Sequence, residues 1–255
     1  MKNKCHDRRK FITVAAAGAG AAAMSGCAVF DPLGWQSMIG DAMGTGAKPL
    51  PPLKHGDGTG VDEKWFVDFV AGFVNDPSIN DLSGDFEGEP IFKDSLTGFV
   101  SGDDPLLAEY KKIIGPFHHT PDEAMAWAAA EQGVGKPSIK NVGVISFVLP
   151  LTDRIVSDNA DQDRWSSSRW SHGRLYGEVF CQRLVMSMIS ALADQGILAV
   201  APDLMPDFRK KRYPEVGWAS PWSHRHMAFA AGLGSFGMND FFISEMGAAH
   251  RCGSL

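Results

Sequence analysis

The apolar run VGVISFVL at 142–149 leaves this chain few architectures. It is short, unbroken and rich in β-branched residues, so it predicts a strand buried on both faces rather than a half-exposed one. Downstream, 175–194 carries Phe180, Leu184, Met188 and Leu192 at helical spacing, which predicts the longest helix with that stripe in the core. Gly196 follows, and 197–201 reads as a second strand. A buried strand, a long connection, a helix and another strand point to an α/β fold, an α+β sandwich with helices layered on a sheet.

Other elements fall around this frame. Trp65, Phe66, Phe69, Val70 and Phe73 share one stripe of a helix starting near Asp62. Residues 76–104 read as loop, and 106–114 as a short helix. Thr120-Pro121-Asp122-Glu123 predicts a helix start in which Thr120 caps and Glu123 reaches back, with the helix ending near Gly133. The segment 202–222 is long, irregular and rich in Pro and Trp, and such segments in compact domains tend to carry function.

The first 27 residues read as an export signal: Arg8-Arg9-Lys10-Phe11 leads into a run of Ala, Gly and Val too short to cross a bilayer. The twin arginine specifies the Tat route, which carries folded proteins and serves those that acquire a cofactor in the cytoplasm. The expected location is the periplasm or the outer face of the cytoplasmic membrane. Met24-Ser25-Gly26-Cys27 admits two readings. Either Cys27 is lipidated and anchors the mature protein to the membrane, or cleavage is ordinary and Cys27 is incidental. Residues 28–60 read as a Gly/Pro-rich linker and 61–255 as the functional domain.

A net charge of −6 excludes a general attraction to nucleic acid. The one basic cluster, Arg209-Lys210-Lys211-Arg212, reads as a solvated turn. Four cysteines without a C-x-x-C pair make neither a disulfide framework nor a cluster site, and His224-x-His226 lacks a third ligand at a familiar spacing, so no metal site is expected. Gly232-Leu233-Gly234-Ser235-Phe236-Gly237 matches G-x-G-x-x-G literally but fails its context. A helix-like stretch precedes it, and only 18 residues follow, too few for a second β-α unit. Nicotinamide dinucleotide binding is excluded. The glycines still mark close backbone approach or positive φ, as suits a wall lying flat against a large cofactor.

That segment, His226-Met227-Ala228-Phe229-Ala230-Ala231-Gly232-Leu233-Gly234-Ser235-Phe236-Gly237-Met238-Asn239, with Ile243 and Arg251-Cys252-Gly253-Ser254, resembles the corrinoid-dependent reductase superfamily, which includes reductive dehalogenases and epoxyqueuosine reductases. Gly102-Asp103-Asp104-Pro105-Leu106, the stretch from Ile114 to His118 with Thr120-Pro121, and the twin-arginine signal resemble the dehalogenase branch. The resemblance implies a nitroreductase-like corrinoid-binding domain with cobalamin as cofactor, held by His226, Gly232, Leu233, Gly234, Ser235, Gly237 and Asn239. It also implies a following ferredoxin-like domain with two 4Fe-4S clusters. No such Cys run is present, and the chain is expected to be C-terminally truncated relative to the family or to have lost that domain. Trp170-Ser171-His172-Gly173-Arg174-Leu175-Tyr176-Gly177 resembles the epoxyqueuosine reductase stretch Y-x-x-G-R-D-Y-H but departs from it at Leu175 and Gly177, which argues against that reaction.

Tyr176 is the expected proton donor, with a packing aromatic as the alternative, and Arg174 holds an anionic group or makes a surface salt bridge. The expected activity is reductive cleavage of a carbon–halogen or similar bond in a small-molecule substrate. The expected partners are the Tat machinery, with a membrane anchor or an electron-donor protein. The alternative is a non-catalytic periplasmic binder of a corrinoid or small molecule that lacks its iron–sulfur electron input.

Overall fold

The computed structural model describes residues 49–255. The twin-arginine segment, Cys27 and the first part of the linker lie outside the described residues. The described end of the linker, 49–60, is fastened to the body. Lys54 N–H donates to the Ala193 carbonyl at 2.9 Å and Gly58 N–H to that of Gln195 at 3.1 Å. Gln132 reaches across to the same segment, bonding Leu53 and Pro51.

The elements in chain order are α1 Glu63–Asn75, β1 Leu96–Ser101, α2 Pro105–Ile113, α3 Pro121–Gln132, β2 Gly143–Pro150, α4 Asp153–Ala160, α5 Ser168–Asp194, β3 Lys211–Tyr213, β4 Gly217–Ala219, α6 His224–Ala230, β5 Gly234–Phe236, β6 Phe242–Ser244 and β7 His250–Ser254. The fold is mixed, with helices packed on small antiparallel sheets, as an α+β architecture requires. β2 is the centre of a three-stranded sheet with β1 and β7 on either side, both antiparallel to it; Phe99 faces Ile145, and Cys252 faces Val148.

Burial on both faces explains the unbroken apolar run of β2. Ile145, Phe147 and Leu149 pack with Phe66 and Val70 of α1 and Phe180, Leu184 and Met188 of α5 in the main core. On the opposite face, Val144 packs with Leu107, Tyr110, Trp222 and Met227, and Val148 with Ala228 and Phe242. Alternation of side chains along the strand sends successive residues to these two cores.

Local chemistry sets the helix ends. Asp62 accepts from Trp65 N–H at 2.8 Å to start α1. Thr120 and Glu123 make the expected reciprocal capping box at α3, and Gly133 stops that helix in the left-handed conformation at φ 65°. The structure corrects two expectations. Residues 197–201 are irregular and join no sheet; the third strand of the main sheet is β7, from the C-terminal end, which contains Arg251-Cys252-Gly253-Ser254. The segment 76–104 contains β1 and is organised by a buried Asn80, whose side chain bonds Val74, Ile91 and Phe92 at 2.8–3.0 Å.

Candidate functional site

Trp222-Ser223 and the first turn of α6 are held by a buried polar cluster. His118 is fully buried, and its ring lies parallel to the Trp222 indole with centroids 5.7 Å apart. Its Nε2 accepts from Ser223 N–H at 3.2 Å, while its Nδ1 is buried without a partner. Tyr110 donates its hydroxyl proton to the His226 carbonyl at 2.7 Å. Burial holds the His118 imidazole down to about 4, helped by the neighbouring His226, His119 and Lys111. Burial and the adjacent Arg225 likewise hold His226 down to about 4. Both rings are therefore neutral at pH 7. The His226 Nδ1 is 2.8 Å from the Ser223 hydroxyl, which fixes the ring's rotation.

This cluster backs a cavity of about 1220 Å³. Its walls come from α5 (Glu178, Cys181), the 203–210 loop, the β3–β4 hairpin (Trp218), the start of α6 (His224 to His226), the β5–β6 turn (Asp240, Phe241) and β7 (Arg251 to Gly253). Arg251 ties two of these walls together: it bonds Glu178 at 2.5 Å and the Arg174 carbonyl on α5. Burial pushes the Cys252 thiol up to about 12 and pushes Cys181 up as well, so neither is a thiolate at neutral pH.

Ser254, His224 and Asp203 form a Ser-His-Asp series. The Ser254 hydroxyl is 2.8 Å from His224 Nδ1, and His224 Nε2 is 3.7 Å from Asp203. The serine is fully buried, and its oxygen accepts the Trp222 indole N–H at 2.9 Å. No substrate carbonyl can reach it, so the series pins β7 to α6 and does not form a nucleophilic triad.

Of the residues expected to hold a cofactor, His226 alone lines the cavity. Gly232 to Asn239 build a helix stop and a hairpin beside it. Gly232, at φ 77°, is the left-handed residue after α6; its N–H donates to Phe229 and that of Leu233 to Ala228, the paired bonds of a Schellman stop. Leu233 packs with Val148 and Phe242. Gly234 lies against the backbone of Ile243 across the hairpin. Ser235 pairs with Ile243 and is exposed, and Gly237 N–H donates to the Phe241 carbonyl at 2.8 Å to close the turn. Asn239 is exposed, its side-chain oxygen accepting from Phe241 N–H at 3.3 Å.

Arg174 and Tyr176 sit inside α5, which begins seven residues earlier than 175. The exposed Arg174 contributes its carbonyl to Arg251. Tyr176 is half-buried, packs against the main core and has its ring 5.6 Å from that of His172; it is not part of the cavity wall. Glu178, Cys181, Gln182 and Val185, at helical spacing, face the cavity instead. Trp218 and Asp203 fall in the 202–222 segment that composition marks as a whole without singling out a residue, while nothing local marks Cys181; the cavity assembles them from separate elements.

Among the described residues, no group of three or more His, Cys, Asp or Glu is placed to hold a metal ion, and no helix is long and apolar enough to cross a membrane. Comparison with models of known families, with curated proteins and with solved structures returned no match.

Proposed function

We propose that this chain is an exported corrinoid-binding domain of the reductive dehalogenase-like type. The carrying observation is convergence. His226 and Arg251 to Gly253, which belong to two separate stretches bearing the resemblance, line one cavity. Its volume exceeds the roughly 300–1,000 Å³ of sites for drug-sized ligands, so it suits a larger body. The residues fit such a group. Trp218 and Phe208 offer flat apolar surface, and His226 offers a neutral ring. When bound, cobalamin supplies the low-valent cobalt needed for reductive cleavage of a carbon–halogen bond. The chain's own part is to shape the pocket, exclude water and hold protons at the Cys181 and Cys252 thiols, which stay protonated at neutral pH.

Iron–sulfur clusters do not fit the described residues. Such clusters take four thiolates, and the described residues hold two free cysteines, Cys181 and Cys252, whose thiols burial keeps protonated at neutral pH. Electrons would then reach the cavity from outside the described residues. A second reading, a periplasmic corrinoid carrier without turnover, is favoured by one observation: the expected proton donor Tyr176 is absent from the cavity wall.

The test is spectroscopic. Full-length protein mixed with cobalamin should shift its visible spectrum to the base-off form, and Trp218→Ala should weaken capture by roughly 5- to 10-fold through lost ring contact. An unchanged spectrum with the unmutated protein would remove the corrinoid reading.

A further inference from the structure

The basic run, read from sequence as a solvated turn, is split by the fold. Arg209 and Lys210 line the cavity, while Lys211 and Arg212 continue into β3. Arg209 and Lys210 are exposed; the Arg209 guanidinium donates to the neighbouring Phe208 carbonyl at 2.8 Å, and among the described residues neither side chain is in an ion pair. The acids of the same cavity are differently placed. Glu178 is bound to Arg251 at 2.5 Å, Asp240 to Arg225 at 3.2 Å, and Asp203 has His224 Nε2 at 3.7 Å. Asp203, whose His224 neighbour is a cation only when protonated, remains as one negative charge on this loop, but Arg209 and Lys210 leave the uncommitted balance there positive, in a protein whose net charge is −6. A concave surface on which cations outnumber acids concentrates anionic counter-ions.

The adjoining hairpin adds an apolar surface. Tyr213 stacks on Phe117 at 3.5 Å between centroids and holds the β3–β4 hairpin to the body. Trp218 on the partner strand lines the cavity and is 77% exposed. Ile113, Val216 and Phe241 are exposed and line the same cavity, so the indole belongs to an exposed apolar patch rather than standing singly, and such a patch marks a binding surface.

We propose that this cavity selects a ligand carrying an anionic group on a flat apolar body, Arg209 and Lys210 reading the anion and Trp218 covering the flat face. The proposal rests on the cavity being a ligand site, as the corrinoid reading holds, and names what that site prefers. Arg209 offers a planar fork of donors to a carboxylate, phenolate or phosphate, and Lys210 adds a mobile point charge. Two sources present this chemistry: an aromatic acid or phenolate as substrate, and the phosphodiester arm of a corrinoid.

The experiment uses full-length protein without added corrinoid. Equilibrium dialysis compares 2-naphthoate with the neutral 2-naphthylmethanol at low ionic strength. Naphthoate should bind roughly 5- to 20-fold tighter, the range of a partly solvated charged contact. Arg209→Gln with Lys210→Gln should abolish that preference, Arg209→Lys with Lys210→Arg should keep most of it, and Trp218→Ala should weaken both probes alike. A second arm measures cobalamin against cobinamide, which lacks the phosphodiester. A loss confined to cobalamin in the double Gln variant identifies the corrinoid arm as the anion, and no loss in either assigns the anion to the substrate, provided the naphthoate preference holds. Equal binding of naphthoate and its alcohol, with cobalamin unaffected by the double variant, overturns the proposal. So does an anion preference that survives the double Gln variant. The naphthoate arm does not depend on whether corrinoid binds, which the visible spectrum reads independently.

Discussion

Gly234 lies against the main chain of Ile243: a Cβ on residue 234 would fall inside the Ile243 carbonyl, with the Phe242 ring only 2.8 Å away. The two residues are on facing strands of the β5–β6 hairpin, where Gly234 pairs with Ser244 and Ser235 with Ile243. The close approach is within the chain itself, so hairpin closure suffices to require glycine here.

Gly234→Val should therefore destabilise the hairpin, by about 1–3 kcal/mol as overpacking of a tight site does. Urea unfolding of the full chain should show a lower midpoint, and any loss of ligand in this variant would follow the loss of hairpin structure. A variant with unchanged stability that had lost only its ligand would place a cofactor, rather than β6, against this glycine.

Asn80 is the hub of the segment between α1 and β1. Its amide donates to the Val74 and Phe92 carbonyls and accepts from the Ile91 and Phe92 N–H groups, and it is 4% exposed. Asn80→Leu leaves four buried main-chain groups without partners, each worth about 1–3 kcal/mol when desolvated and unmade. The expected outcome is a loss of several kcal/mol, seen as a large fall in Tm or as failure to fold. A shift below about 1 kcal/mol would mean that water or neighbouring donors replace the amide.

What was legible in the sequence was whatever leaves a local signature. The capping box at Thr120, the stripe of Phe180, Leu184, Met188 and Leu192, and the two-sided burial of β2 stand where periodicity and turn chemistry put them. The helix before Gly232 and the absence of one after Gly237 also followed from residue types. Residues 197–201 were misread because a short apolar run satisfies a strand and a buried coil equally: Val200 packs with Met125, Ala128 and Met205 without a ladder partner. The place of β7 beside β2 joins residues about a hundred positions apart, and no pattern within either strand encodes that pairing. One wall of the cavity, within the irregular 202–222 segment, was legible from its composition; its meeting with α5 and β7 was not, since that comes only through tertiary packing.

Stability should fall in mild acid because of His118. Its folded pKa, about 4, lies below the ordinary 6.5, so the unfolded chain binds the extra proton first. The contribution is fully present above pH 6.5, declines as pH drops through the window from 6.5 to 4, and levels off below it. Across that window the loss reaches up to about 3 kcal/mol. Unfolding midpoints at pH 7.5, 6.5, 5.5 and 5.0 should trace this slope above the range where carboxylates titrate, and His118→Phe should remove about half of it, the rest coming from His226, which burial holds equally low. A His118→Phe variant with the same slope would assign the acid sensitivity to other groups, His226 first among them.

Turnover should discriminate between an enzyme and a carrier through Tyr176. Its ring packs against the main core near His172, and the cavity wall on α5 is made by Glu178 and Cys181. A positioned proton donor contributes roughly 10²–10⁴-fold. With corrinoid-loaded protein, titanium citrate as reductant and an organohalide substrate, Tyr176→Phe should cost at least about 10²-fold if the tyrosine delivers the proton. The placement seen here predicts the smaller effect: less than about 5-fold, within what a packing change produces, because a donor must come within hydrogen-bond reach of the atom it serves. A 10²-fold loss would show that Tyr176 reaches the reacting atoms in a conformation different from this one and would restore it as the donor. If turnover is no faster than that of free cobalamin and Tyr176→Phe changes nothing, the carrier reading stands ahead of the enzyme.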